Sequence, residues 1–167
     1  LIKKAAESTC NFYIRNTPED GVPYWDTGAP GLSNIKDYLQ KPADPFNDFE
    51  PVDSSAAAIA SQGLLRLGNF LKREGEEQQS NRYWLTGLKV LDTLLGEPYL
   101  SHDKNHQGLL LHSVYHRPNG WDHIPEGSNI PNGESSMWGD YHLREAALYV
   151  ARLGAGPYLT FFGKEKP

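Results

Sequence analysis

Several features are scarce or missing in this 167-residue chain, and each absence excludes a class of protein. Cys10 is the only cysteine, so an internal disulfide and a cysteine-rich metal site are both excluded. No apolar run approaches the roughly 20 residues that a membrane-spanning helix requires. The net charge is −5, which argues against a surface for nucleic acid or anionic lipid, because both require a cationic stripe.

Glycine, proline and aromatic residues are abundant instead, with 16 Gly, 12 Pro and 11% aromatics. The aromatic content is too high for a disordered polymer, so this combination predicts long structured loops. Two stretches, residues 18–52 and 100–135, are much longer than the roughly 2–8 residues that usually connect helices, and we expect both to be functional loops.

Hydrophobic spacing predicts four helices, at residues 1–16, 56–72, 77–95 and 136–153, and no convincing alternating strand. Asp53 or Ser54 is expected to cap the second helix by accepting hydrogen bonds from its first amides, and Gly75 to end it. Small residues suit that helix to an inner, crowded position. The chain begins inside the first helix without an initiator Met, so we expect it to be a piece of a larger protein.

Three of the four tryptophans are followed closely by an aspartate: Trp25-Asp26, Trp121-Asp122 and Trp138-Gly139-Asp140. Sugar sites combine an aromatic face, which stacks on C–H groups, with a carboxylate that takes hydroxyl groups or protons. The alternative is that each Asp caps a helix or turn and each Trp packs locally. Trp84, the fourth, is expected to lie in the core.

The segment Tyr115-His116-Arg117-Pro118-Asn119-Gly120-Trp121 is the densest run of polar and aromatic residues. Arg117 can pair with a carboxylate or sulfate, His116 and Asn119 can meet hydroxyl groups, and Trp121 can stack on a sugar. The alternative is a rim loop held together by its own side chains.

Other chemistries have little support. The pairs His102/His106 and His112/His116 have the spacing of metal ligands, but the glycine and proline that follow them argue against the continuous helix such a site needs. No Ser-nucleophile motif or phosphate loop occurs, and Cys10 is expected to be inert. We therefore predict no metal site in this chain.

Four blocks carry a resemblance to a known family: residues 22–26 (Val-Pro-Tyr-Trp-Asp), 53–60 (Asp-Ser-Ser-Ala-Ala-Ala-Ile-Ala), 108–112 (Gly-Leu-Leu-Leu-His) and 133–141 (Gly-Glu-Ser-Ser-Met-Trp-Gly-Asp-Tyr). In this order they resemble the C-terminal part of glycoside hydrolase family 88, the unsaturated glucuronyl hydrolases. The resemblance implies an all-α fold, the C-terminal part of an (α/α)6 six-hairpin toroid with long rim loops. Residues 1–167 would be one piece of that domain, and the N-terminal part would lie outside this chain.

The resemblance also implies a reaction. Such enzymes remove the 4,5-unsaturated uronic acid that polysaccharide lyases leave on oligosaccharides. An Asp protonates C4 of the vinyl ether, water adds at C5, and the resulting hemiketal opens and expels the remaining sugar. No metal or organic cofactor is implied.

The resemblance assigns only part of the family's site to this chain. No Asp here matches the family's catalytic Asp, and Asp26, Asp53, Asp122 and Asp140 are not substitutes for it. Tyr115 and His116 match the rim loop that contacts the leaving sugar. Sulfate-preferring relatives carry Ser and Lys in this loop, where the present sequence reads His116-Arg117-Pro118-Asn119.

The expected substrate-binding residues are therefore Tyr115, His116, Arg117, Asn119 and Trp121, and the expected partners are an unsaturated oligosaccharide and the N-terminal part of the same protein. Two alternatives remain: an unsaturated rhamnogalacturonyl hydrolase with the same barrel, and a non-catalytic carbohydrate-binding helical module. The single Cys and the resemblance favour a cytoplasmic location.

Overall fold

The computed structural model describes residues 1–153 and the backbone of residues 159–160 and 163–164. The four α-helices are α1 (Ile2–Asn16), α2 (Ser54–Arg73), α3 (Glu77–Leu94) and α4 (Met137–Arg152). Short 3-10 turns lie at Pro30–Asn34, Tyr38–Gln40 and Arg117–Asn119, and two-residue strands at Leu159–Thr160 and Gly163–Lys164 pair antiparallel. The four predicted helices are confirmed, with ends that differ by two residues or fewer.

The predicted cap of α2 is also confirmed. Asp53 is the N-cap residue, and its side chain accepts hydrogen bonds from the amides of Ser55 and Ala56. These amides have no partner within the helix, so the carboxylate satisfies donors that would otherwise be lost. Gly75 lies just beyond the helix with a φ of +80°, which fits the predicted stop.

Helix α2 lies at the centre of the fold, in contact with α1, α3 and α4. Glycines allow the α2–α3 pair to approach closely: a Cβ at Gly87 would come within 2.9 Å of Leu65, and one at Gly68 within 2.9 Å of the Trp84 backbone. The Ser61 hydroxyl donates to the carbonyl of Gly87 at 2.9 Å. The prediction of an inner, crowded helix is confirmed.

The core has two parts. Side chains from α2, α3, α4 and the two long loops form the larger part, and Trp84 packs against it partly buried. The smaller part lies between α1, α2 and α3, where Cys10 packs partly buried and burial raises the pKa of its thiol. No helix in the described part of the chain has both the length and the apolar character needed to cross a membrane.

The two long loops pack against each other and against the N-terminus of α2. The amide of Ser54 donates to the carbonyl of His112 at 3.1 Å, and the ring of Phe46 lies edge-on to His112 with centroids 5.1 Å apart. Regular pairing within the loops is limited to isolated bridges, Tyr24 with Val52 and Leu100 with Leu110. Both loops therefore belong to one folded surface at one end of the helices.

Candidate functional site

The polar–aromatic segment folds into a compact turn. Arg117–Asn119 forms one 3-10 turn, and Gly120 follows with a φ of +63°, a left-handed conformation that glycine adopts without strain. The amide of Asn119 donates to the Nδ1 atom of His116 at 3.3 Å. The turn reverses the chain, so that Trp121 returns beside Tyr115 and His116.

Asp122 closes this turn at its base. Its two carboxylate oxygens accept hydrogen bonds from the amides of Tyr115 and His116, the latter at 3.0 Å. Hydrogen bonds from amides to an ionised acceptor are among the stronger ones in proteins. The residues at positions 115–122 therefore form a closed loop, which we call the rim loop.

Three rings of the rim loop and one from α4 form a continuous aromatic surface, made of Tyr115, His116, Trp121 and Trp138. Tyr115 stacks on Trp138 with centroids 5.4 Å apart and an interplanar angle of 29°. Tyr115 also lies 5.8 Å from Trp121, which in turn lies 4.9 Å from His116. Tyr115 and Trp121 are 57% and 60% exposed, so both side chains are accessible in this structure.

The structure thus brings together three of the five predicted residues, Tyr115, His116 and Trp121. Arg117 and Asn119 lie on the 3-10 turn between them, Arg117 half-buried and Asn119 exposed. Trp138 was not among the predicted binding residues. Its place in the sequence block 133–141 was the available signal, but its stacking on Tyr115 depends on a contact between positions far apart in the chain.

The carboxylates of the three Trp–Asp pairs all hold backbone amides. Asp26 accepts from Gly28 at 2.6 Å, and Asp140 accepts from both Leu109 and Leu110, the latter at 2.8 Å. Together with Asp122, they act as local supports of turns and loops. Two of these tryptophans, Trp121 and Trp138, therefore belong to the aromatic surface, as expected for a sugar site. The carboxylates instead support turns and loops, as the alternative interpretation proposed.

His112 links the rim loop to the rest of the loop surface. It is 3% exposed and adopts a φ of +65°. Its Nδ1 atom accepts the amide of Gly133 at 3.0 Å, and the ring also hydrogen-bonds the carbonyl of Pro98. Burial lowers the pKa of His112 from the ordinary 6.5 to about 4, because a charged ring would lose its hydration.

A cavity of about 1030 Å³ adjoins the first turns of α4. Its lining includes both acidic and basic side chains, contributed by α4 and by the loops before it: His106, Glu134, Asp140, Tyr141, Arg144 and Glu145. Ser136 and Met137 also line it, and Trp138 follows them directly in sequence. The cavity and the aromatic surface therefore both use residues from the first turn of α4, although none of the four aromatic-surface residues lines the cavity.

The predicted histidine pairs do not form a metal site in this geometry. His112 is buried with its Nδ1 already accepting an amide, and the Nδ1 of His106 lies 3.0 Å from the carbonyl of Gly108. Within the described residues, no three His, Cys, Asp or Glu side chains lie close enough together to hold a metal ion.

Comparison of the sequence with known proteins finds relatives that share one name, unsaturated glucuronyl hydrolase. The chain is 32% identical over 144 residues to an unsaturated glucuronyl hydrolase of Formosa agariphila, covering 84% of this chain and 28% of that protein. It is 28% identical over 150 residues to an unsaturated glucuronyl hydrolase of a Bacillus species, covering 89% of this chain and 33% of the relative. No family model matches the chain.

Comparison of the fold with solved structures also finds unsaturated glucuronyl hydrolases. The crystal structure of the unsaturated glucuronyl hydrolase from Bacillus sp. GL1, described as responsible for the degradation of glycosaminoglycan, matches with a TM-score of 0.64 and 26% identity, covering 92% of this chain and 33% of that one. The predicted resemblance and the all-α fold class, as part of a toroid, are confirmed. The chain spans about a third of the length of the relatives it matches.

Proposed function

We propose that this chain, which over most of its length is related to the unsaturated glucuronyl hydrolases, supplies the C-terminal part of an (α/α)6 barrel that hydrolyses unsaturated uronyl oligosaccharides. The relatives' names and the shared fold support the reaction class. The N-terminal part of the barrel, with the catalytic Asp, would lie outside residues 1–167. Residues 1–167 alone are then expected to be inactive.

The observation that carries the role of this chain is the exposed aromatic surface at the N-terminus of α4. The cluster of Tyr115 with Trp121 and Trp138 offers aromatic rings to the C–H groups of a sugar. His116, Arg117 and Asn119 stand beside these rings and supply hydrogen-bond donors for hydroxyl or anionic groups. We assign Tyr115, His116, Arg117, Asn119 and Trp121 to binding the sugar that leaves.

The division of labour follows from the chemistry. Protonation of C4 of the vinyl ether produces a cation stabilised by the ring oxygen, water adds at C5, and the hemiketal expels the second sugar. The reacting atoms belong to the unsaturated residue, whereas the rim loop would hold the sugar on the far side of the bond. Changes in the rim loop should therefore alter which second sugar is accepted more than they alter the chemical step.

The test uses the complete protein and two series of lyase products, from glycosaminoglycan and from pectin, with loss of the double-bond absorbance as readout. We expect hydrolysis of the glycosaminoglycan series. Faster hydrolysis of the pectin series would make the protein a rhamnogalacturonyl hydrolase, and binding without any hydrolysis would make it a carbohydrate-binding module.

The residue assignments are tested separately. Tyr115→Ala and His116→Ala should each weaken apparent affinity, by an amount that differs between disaccharides with different second sugars. His102→Ala is the matched control, because His102 is exposed and lies outside the aromatic surface. Unchanged affinity for every disaccharide in both rim-loop variants would refute the assignment.

A further inference from the structure

A buried serine on α2 connects the aromatic surface to the cap of that helix. The indole nitrogen of Trp138 donates to the hydroxyl of Ser55 at 3.1 Å. The same hydroxyl donates to the carboxylate of Asp53 at 2.6 Å. Ser55 is 2% exposed, so this chain of hydrogen bonds is shielded from water.

The carboxylate of Asp53 also contacts the backbone beside Tyr115, the other ring of the Tyr115–Trp138 stack. The carboxylate oxygen that accepts from Ser55 also accepts the amide of Val114 at 3.4 Å, and Val114 directly precedes Tyr115. The same oxygen atom of Asp53 thus contacts the Ser55 hydroxyl that meets Trp138 and the backbone amide that precedes Tyr115. Helix capping explains the contacts of Asp53 with the first turn of α2, but it does not require the Ser55 hydroxyl to accept a hydrogen bond from Trp138.

The first turns of α2 and α4 lie in close contact beside this link. A Cβ at Gly139 would come within 3.1 Å of the Cβ of Ser55 and 2.9 Å of the Ser113 hydroxyl, so the first turn of α4 lies directly against that of α2. The indole extends from this contact, and its only hydrogen-bonding atom is Nε1. The hydrogen bond to the Ser55 hydroxyl therefore favours one orientation of the half-buried indole.

We propose that Ser55 is a positioning residue for sugar binding, which fixes the Trp138 indole against Tyr115 from a site on the opposite helix. The inference rests on the proposed function for its ligand, but the positioning itself is a property of the protein without sugar. Ser55→Ala deletes one oxygen atom and leaves the Asp53 cap in place. Ser61→Ala is the matched control, because Ser61 is a fully buried α2 serine whose hydroxyl donates to a carbonyl remote from the aromatic surface.

The first measurement needs no substrate. In the complete protein, Ser55→Ala should change the near-ultraviolet circular dichroism that arises from the Tyr115–Trp138 pair, and Ser61→Ala should not. Introduced into a Trp138→Phe background, Ser55→Ala should cause no further change, because the ring that it positions is gone. Equal spectra for Ser55→Ala and wild type would refute the proposal.

The second measurement uses an unsaturated glucuronyl disaccharide from lyase-treated chondroitin. Ser55→Ala should raise KM about fivefold, the effect of losing one ordinary hydrogen bond, with kcat unchanged. Ser61→Ala should leave both constants at wild-type values. If wild type and variants all fail to hydrolyse the disaccharide while the spectral change is present, the proposed function fails and the positioning stands. If wild type hydrolyses it and Ser55→Ala matches Ser61→Ala, the positioning role is wrong.

Discussion

Lowering the pH should destabilise this protein through one buried histidine, His112. In the folded chain the Nδ1 atom of His112 accepts the Gly133 amide at 3.0 Å, so the ring is neutral. A proton on Nδ1 would turn this acceptor into a donor, so that it would repel the Gly133 N–H. It would also place a positive charge on a side chain that is 3% exposed. In the unfolded chain the same ring is hydrated and protonates freely.

The sign and size follow from linkage. The folded pKa is about 4 and the ordinary value 6.5, so the unfolded state binds more protons between these pH values. The stabilising effect of the neutral ring is therefore complete above pH 6.5 and is lost as the pH falls through that window. Between pH 7.5 and pH 4.5 the loss amounts to roughly 2–3 kcal/mol, a substantial part of the roughly 5–15 kcal/mol stability of a typical domain.

The assay is urea unfolding followed by circular dichroism at both pH values, for wild type and His112→Asn. Asparagine tolerates the left-handed backbone at this position and offers an acceptor to Gly133, but it does not titrate. Carboxylates titrate equally in both proteins, so the difference between their pH dependences isolates His112. Wild type should lose roughly 2–3 kcal/mol more than the variant. Parallel pH dependences would refute the reasoning, and His102→Asn, an exposed histidine, should behave as wild type.

Two further predictions concern packing and the rim loop. Gly87→Ala should lower the free energy of unfolding by about 1–3 kcal/mol, because the new Cβ would lie 2.9 Å from Leu65. Gly63→Ala should instead raise the free energy of unfolding by about 0.5–1 kcal/mol, because Gly63 has open space around it. Urea denaturation measures both, and a stabilising Gly87→Ala would contradict the close helix approach. Asp122→Ala should speed amide hydrogen exchange at Tyr115 and His116 by about tenfold, since both amides lose their acceptor, while Asp122→Asn, which keeps one oxygen, should show a smaller effect. Unchanged exchange in Asp122→Ala would mean that the carboxylate does not close the rim loop.

The helices could be predicted from sequence because their determinants are local. An apolar stripe with helical period and the Asp53 cap specify α2 within its own residues, and apolar spacing alone predicted the other three helices. The resemblance carried by four short blocks likewise depends only on the order of residues, and it gave the all-α fold class and the related family correctly.

The site could be predicted only in part. Tyr115, His116 and Trp121 lie within seven residues of one another, so one dense segment revealed them. Trp138 joins them through a stacking contact between distant positions, and periodicity carries no information about such a contact. The aspartates left two interpretations open for the same reason: a Trp–Asp pair resembles a sugar site in sequence, and only the folded chain shows that the carboxylates accept hydrogen bonds from backbone amides.

The sequence by itself therefore determined the helices, the cap of α2, the two long loops and the related family, because each is encoded in neighbouring residues. The tertiary structure decided that both loops form one surface, that His112 is buried and neutral, and that Trp138 completes the aromatic surface under the control of Ser55. These features depend on burial and on hydrogen bonds between residues up to 83 positions apart. Their geometry exists only once α2 and α4 have packed together.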